Sequence, residues 1–270
     1  MTQQLLGALA RRPNTRVGDS LLHEKLVLCC GEDPTELMLA LPSAEAPHAC
    51  HEYRCYRFWR FESFTLAWSG IGTGCLEPLL YETLVVEPNP AIREIVLVGT
   101  AGALPSQRSV VHGRAYLIDE AYLGGSALTI PEHDLRLLRA GKSIRPLTPR
   151  LGTMDRKDVI EGLEIGSVVS SDYYYGFSKD SRSGQLRDRD EHLREAVESA
   201  WNKIHMVDME TAQFYYLCDS MSSDRLSYAA VRGPANTVGK FHEQVSFSLQ
   251  VLRSSLEVAF RLLSLDTIDR

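Results

Sequence analysis

The chain has 270 residues, 44% hydrophobic and 24% charged, with a net charge of −6 and a pI near 5.8. That balance suits a soluble domain able to bury a full core without disulfides or a structural metal. It argues against nucleic acid or an anionic membrane surface as the main partner. No apolar run reaches membrane-spanning length, and Leu5–Ala10 precedes Arg11-Arg12, the reverse of signal-peptide order, so a cytoplasmic protein is expected.

The first 24 residues, broken by Pro13, read as an irregular arm, and residues 25–270 as one domain. Lys25 to Cys30 is a short apolar strand closed by Gly31-Glu32-Asp33-Pro34, and Glu36 to Leu41 is helix-like. Next comes His48-Ala-Cys50-His51-Glu-Tyr-Arg-Cys55, whose residue types could bind zinc but whose spacing fits no zinc pattern. No metal or cofactor is expected. Tyr53 to Arg60 and Ser63 to Trp68 alternate in the strand manner and suggest a hairpin. Ser69-Gly70-Ile71-Gly72-Thr73-Gly74 leads into a helix from Cys75 to Val86, which Pro88 and Pro90 end.

Glu94 to Val98 has the continuous apolar character of a buried parallel strand, and Gly99-Thr100-Ala101-Gly102-Ala103 is read as its cap. Ala115 to Ile118, Ile165 to Ser170, Ile204 to Val207 and Leu226 to Val231 are further strands. Helices are expected from Arg187 to Trp201, from Thr211 onward and from Phe241 to Leu263, with a loop over Ser178 to Arg189. Strands alternating with helices imply an α/β fold: a single domain with a mixed, mainly parallel sheet flanked by helices.

Chemistry collects where strands end, the place where open α/β sheets bind ligands. Six strand ends carry polar or glycine-rich residues: Gly31-Glu32-Asp33, Ser69-Gly70-Ile71-Gly72, Gly99-Thr100-Ala101-Gly102, Ser170-Ser171-Asp172-Tyr173-Tyr174-Tyr175, Asp208-Met209-Glu210 and Ala235-Asn236. Glycine lets backbone amides approach a ligand, and amides at helix starts favour anions or sugar hydroxyls. A carboxylate in Met206-Val207-Asp208-Met209-Glu210-Thr211-Ala212 could hold a vicinal diol. The plain alternative is that Asp208 and Glu210 charge the first turn of a helix.

Taken together, Val98-Gly99-Thr100-Ala101-Gly102-Ala103, Val169-Ser170-Ser171-Asp172 and Val207-Asp208-Met209-Glu210-Thr211-Ala212 resemble the nucleoside phosphorylase/nucleosidase superfamily, with Ser69-Gly70-Ile71-Gly72 and Val231-Arg232 in support. The resemblance runs from about Leu26 to the C-terminal helix. It implies a twisted, barrel-like mixed sheet, a homodimer or larger homo-oligomer, and a small-molecule nucleoside as partner. It also implies that Glu210 holds the ribose hydroxyls, with Met209 under the sugar and Asp208 in support. By the same resemblance Tyr174, with Tyr173 beside it, contacts the base, and Thr100 meets phosphate or water within the Gly72 and Thr100-Ala101-Gly102 turns. Glu32 lies in the loop that supplies a phosphate ligand or a water-activating glutamate.

Three departures from the family pattern bear on subtype. Where hexameric phosphorylases carry an arginine in the first loop, this chain has Asp33-Pro34-Thr35-Glu36, and Leu97 stands where another arginine precedes the glycine turn. A phosphate dianion without its arginines is poorly compensated, whereas water needs a base, and Glu32 is available. Hydrolysis is therefore favoured over phosphorolysis, in which phosphate would be the co-substrate. Asn236 stands where adenine-releasing relatives have a proton-donating Asp. An amide cannot release a proton, but it can donate to a carbonyl and accept from a ring N–H, which suits a 6-oxopurine. Asn236 could equally stabilise a turn after Pro234, and Lys240 or His242 could supply the proton. A non-catalytic nucleoside-binding module is the other reading.

Overall fold

The computed structural model describes residues 22–31, 33–42, 45–53, 56–86, 92–104, 109–123, 146–171, 204–221, 225–237 and 244–265. Among these, nine strands form one sheet: β1 (Lys25–Cys30), β2 (Ala49–Tyr53), β3 (Tyr56–Arg60), β4 (Thr65–Ser69), β5 (Glu94–Ala103), β6 (Tyr116–Leu123), β7 (Ile165–Ser170), β8 (Met206–Asp208) and β9 (Ser227–Thr237). The strand order is β2-β3-β4-β1-β5-β8-β7-β6-β9, and β9 returns to pair with β5. Strands β5, β8, β7, β6 and β9 thus close a ring, while β1, β4, β3 and β2 extend from β5 as a wing. Parallel pairing joins β1 to β4 and β5, β5 to β9, and β7 to β6 and β8; β2–β3, β3–β4, β5–β8 and β6–β9 are antiparallel. This is the mixed, barrel-like α/β sheet that the motifs implied.

Alternating side chains put core on both faces of the sheet. From β1, Leu26, Leu28 and Cys30 pack with Leu76, Leu79 and Leu80 of helix α2 (Thr73–Tyr81) and with Phe214, Tyr215 and Leu217 of helix α4 (Thr211–Met221). Val27 and Cys29 face the other way, toward Leu37 and Ala40 of helix α1 (Pro34–Ala40) and Leu252, Leu256, Ala259 and Phe260 of helix α5 (Gln244–Leu262). A short helix α3 (Lys157–Ile160) adds Val159 to that second face. No helix among the described residues is long and apolar enough to cross a membrane.

Several elements differ from the expected boundaries. Helix α1 begins two residues early because Asp33 caps it, accepting from Thr35 N at 2.7 Å, and because Pro34 at the first turn has no N–H to satisfy. The expected helix over Cys75–Val86 starts at Thr73 and gives way to a π-helical turn over Glu82–Val86 after Pro78. The β3–β4 hairpin forms as expected, and β2 adds a largely polar edge strand beside it. Strand β5 runs on through Gly99–Ala103, and β9 runs past Val231 to Thr237, because each supplies the other's hydrogen bonds over that length. The helix expected at Arg187–Trp201 and the loop at Ser178–Arg189 lie outside the described residues, as does most of the N-terminal arm.

Two irregularities shape the ring. The β6–β7 register shifts between Ile118 and Glu120, and the β5–β9 register shifts at Ala101/Gly102. Extra residues of this kind bend a strand and increase its twist, which closure requires. The buried Tyr215 hydroxyl fastens the first irregularity by donating to Ile118 O at 2.6 Å and accepting from Ala230 N at 3.0 Å. Tyr215→Phe leaves both partners short of a hydrogen bond, so it should cost about 2 kcal/mol of stability. Urea unfolding of the two proteins measures this, and an unchanged midpoint would show that the ring does not depend on the hydroxyl.

Candidate active site

Four of the sequence motifs sit side by side in the ring. Gly102 of β5 is in register with Val207 of β8 on one side and Asn236 of β9 on the other, and Ser170 of β7 is in register with Asp208. The turn from β8 into α4 therefore carries Asp208 beside the end of β7 and, because β8 runs antiparallel to β5, brings Glu210 back along β5 toward Gly99 and its register partner Arg232 of β9. The wing contributes two more: Gly31 N donates to Ser69 O at 3.2 Å, tying the first loop to the Ser69–Gly72 turn.

Glu210 is 4% exposed and held on both oxygens. Its Oε1 accepts from Gly72 N at 2.7 Å, and its Oε2 accepts from Arg232 Nη2 at 3.0 Å. Gly72 can present its N–H there because its φ of 89° lies in the region that glycine alone enters freely. Asp208, 5% exposed, takes the other side of the guanidinium, with Arg232 Nε 2.9 Å from its Oδ2. Arg232 Nε also donates to Thr211 Oγ1 at 2.9 Å. Ser170 Oγ donates to Asp208 Oδ1, and Thr211 Oγ1 donates to Asp208 Oδ2.

The same groups start helix α4. Asp208 Oδ2 accepts from Thr211 N at 3.2 Å and Ser170 Oγ from Ala212 N at 2.8 Å, which satisfies first-turn amides that have no partner inside the helix. The plain alternative for the two carboxylates thus holds for Asp208 in part, whereas Glu210 turns away from the helix into the cluster.

Burial pushes the Glu210 carboxyl up, to about 7, with the Asp208 charge adding to the rise. Arg232 and the Gly72 N–H pull in the opposite direction without overcoming it. Arg232 stays charged: burial works against its cation, but Asp208 and Glu210 outweigh that cost. Cys29 and Cys30 of β1 lie close enough to feel the cluster, and burial raises both thiols, Cys29 to about 12, so they remain neutral.

Of the residues singled out by sequence, Gly72, Asp208 and Glu210 are in direct contact through this cluster or bound to it, and Ala101, Gly102 and Asn236 line the adjoining β5–β9 edge. Thr100 is half-buried opposite Gly233, and Met209 is half-buried between the two carboxylates. Asn236 is 7% exposed, and its side chain makes no hydrogen bond to another described residue. Glu32, Tyr173 and Tyr174, together with Lys240 and His242, lie outside the described residues.

Arg232 does more than the supporting part that the Val231-Arg232 motif implies, since it binds both carboxylates. Its signal was present: a cation inside the apolar run that begins at Leu226 needs a buried partner, and two carboxylates were already placed at a neighbouring strand end. The two arginines of β3, Arg57 and Arg60, are engaged elsewhere. Arg57 pairs with Glu52 at 2.8 Å, and Arg60 donates to Leu22 O at 2.7 Å. Arg60 is in register with Thr65, four residues or roughly 13 Å along β4 from Ser69. Leu97 is fully buried in the core. In β2, Cys50 and His51 are consecutive strand residues and so project from opposite faces.

The profile of the phosphorylase superfamily matches residues 27–265. The chain belongs to that superfamily. Membership makes it an enzyme of the class that contains nucleosidases and nucleoside phosphorylases, and so of the N-glycosidic cleavage type. Solved structures with the same fold include futalosine hydrolase of Helicobacter pylori strain 26695, at TM-score 0.63 and 14% identity over 91% of this chain and 99% of that one. A methylthioadenosine/S-adenosylhomocysteine nucleosidase from Neisseria meningitidis gives TM-score 0.59 and 15% identity over 88% and 97% of the two chains. Uridine phosphorylase from Vibrio fischeri ES114 gives 0.59 and 16% over 93% and 95%. No curated protein matches the chain by sequence.

One glycine of the superfamily turn is tied to the cluster by shape. A Cβ on Gly99 would lie 2.2 Å from Arg232 Nη1 and 3.3 Å from Cys30 O. Gly99→Ala should therefore displace Arg232, cost about 2 kcal/mol and reduce any Glu210-dependent turnover at least tenfold. Thermal denaturation and steady-state kinetics measure these effects, and a variant matching the parent in both would remove Gly99 from the account.

Proposed function

We propose that the chain hydrolyses the N-glycosidic bond of a nucleoside or nucleoside-like substrate, with a 6-oxopurine as the favoured base. The observation that carries this reading is the fixed Glu210 carboxylate, pinned by Gly72 N of the turn after β4 and by Arg232 of β9. A diol-binding acid must be held still if it is to favour the transition state over the free sugar. As the C1′–N bond breaks, positive charge develops on the sugar and the bond electrons leave with the base. Glu210 accepts hydrogen bonds from the ribose hydroxyls and stabilises the cation. Water then bonds to C1′ after giving up a proton, a task the reading assigns to Glu32, and the departing base takes up a proton. Thr100 and the Ala101-Gly102 backbone border the water, and Met209, Tyr173 and Tyr174 pack on sugar and base. The chemistry calls for no cofactor.

Water is favoured over phosphate because Arg232, the cation within the described cluster, is committed to two carboxylates, Leu97 sits in the core, and the first turn of α1 carries Glu36 rather than a cation. Two of the three named neighbours are a hydrolase and a nucleosidase, and the third is a phosphorylase. For the base, Asn236 lies in the strand end beside Gly102 with its amide unspent on described neighbours, so it can pair with an adjacent carbonyl and ring N–H.

The test is a nucleoside panel incubated with and without phosphate. Base release that is independent of phosphate, with inosine cleaved in preference to adenosine, is the expected result, and Asn236→Asp should move the preference toward adenosine by about tenfold or more. Release only in the presence of phosphate would overturn the hydrolytic assignment. Tight nucleoside binding with no release would instead make the chain a binding module.

A further inference from the structure

Asp208 has an apparent occupation already, as the cap of helix α4. That task needs only an acceptor for Thr211 N, and asparagine or serine performs it as well as aspartate. Yet Asp208 spends both oxygens on more than the cap. Oδ1 is fixed by Ser170 Oγ, while Oδ2 faces Arg232 Nε at 2.9 Å. The guanidinium is thereby split, Nε toward Asp208 and Nη2 toward Glu210. Two carboxylates around one guanidinium leave a formal charge of −1 in a site where all three side chains are at most 5% exposed.

Building on the N-glycosidic reading, we propose that Asp208 is a positioning residue that draws off half of Arg232's charge, so that Glu210 presents unneutralised negative charge to the sugar as its cation forms. Were Arg232 paired with Glu210 alone, the pair would be neutral and would offer the developing cation only a dipole. Sharing the arginine keeps Glu210 in place without cancelling it, in surroundings where charge is weakly screened. The other titratable groups that feel the cluster are Cys29 and Cys30 on β1 and Tyr215 on α4, each raised by burial and hence uncharged. They add no charge, so the balance is −1 once Glu210 is ionised, above its midpoint, and zero below it. The elevated Glu210 proton affinity, to which Asp208 contributes, agrees with this arrangement.

Carboxyl-carbon NMR of protein labelled with ¹³C-glutamate, with the Glu210 signal assigned by its loss in Glu210→Gln, reads the charge sharing without any substrate. The parent should titrate near pH 7 at Glu210. In Asp208→Asn the whole guanidinium charge falls on Glu210, so its midpoint should drop by about one pH unit or more. Asp208→Ser is a second neutral cap with the same expected direction, should the first variant fail to fold. With a nucleoside the parent cleaves, kcat should fall about tenfold or more while KM changes less than about threefold, and the acidic limb of kcat should move to lower pH with the NMR midpoint. A parent midpoint at the ordinary glutamate value, or a midpoint unmoved by either substitution, overturns the proposal. A shifted midpoint in a protein that cleaves no nucleoside counts against the functional reading alone. Cleavage with an unmoved midpoint counts against the charge sharing alone.

Discussion

One buried guanidinium organises this end of the molecule. Arg232 has no exposed surface, and an arginine in that position is tolerable only if its charge is met and its donors are used. Asp208, Glu210 and Thr211 meet it from the β8–α4 turn, which fixes how that turn sits against β9. The consequences run outward. Residue 99 must be glycine because the guanidinium occupies the space of a Cβ. Residue 72 turns through positive φ to deliver its N–H to the free oxygen of Glu210. Ser170 at the end of β7 locks Asp208 from the far side. Segments of β5, β7 and β9 and the turns after β4 and β8 are joined through one cation.

That arrangement is costly to build and is better suited to chemistry than to holding the fold together. A buried triad of two acids and one base retains a net negative charge, and apolar residues would fill the same space at less expense. Superfamily membership fixes the class of chemistry, but specificity belongs to the site and not to the fold. In the proposed reading, Glu210 and Asn236, whose amide is unspent on described neighbours, serve the two ends of one glycosidic bond. The proposed nucleophile side falls to the first loop, where Gly31 is bound to the Ser69 turn and Asp33 starts helix α1.

Much of this was legible in the chain. β1 and β7 were read to the residue because apolar runs there are bounded by glycine, proline or serine, and helix α5 came within a few residues because its buried positions recur every three or four. The ends of β5 and β9 were read short. Their glycines and proline look like punctuation locally, and only mutual pairing across 130 residues of chain makes them strand. β2 escaped notice because its exposed, polar face lacks the burial that produces a pattern. Glu210 was recognised from the motif, yet its charge environment was not, because the partner that sets it is 22 residues downstream on a different strand.

The task proposed for Glu210 is to act on the sugar, not to stabilise the fold. Its most direct test is Glu210→Gln, assayed for base release from a nucleoside that the parent cleaves, alongside circular dichroism and thermal melting. The variant should fold cooperatively while its turnover falls at least a hundredfold, on the order expected for loss of a charge aligned with the transition state. A folded variant that keeps full activity would contradict it.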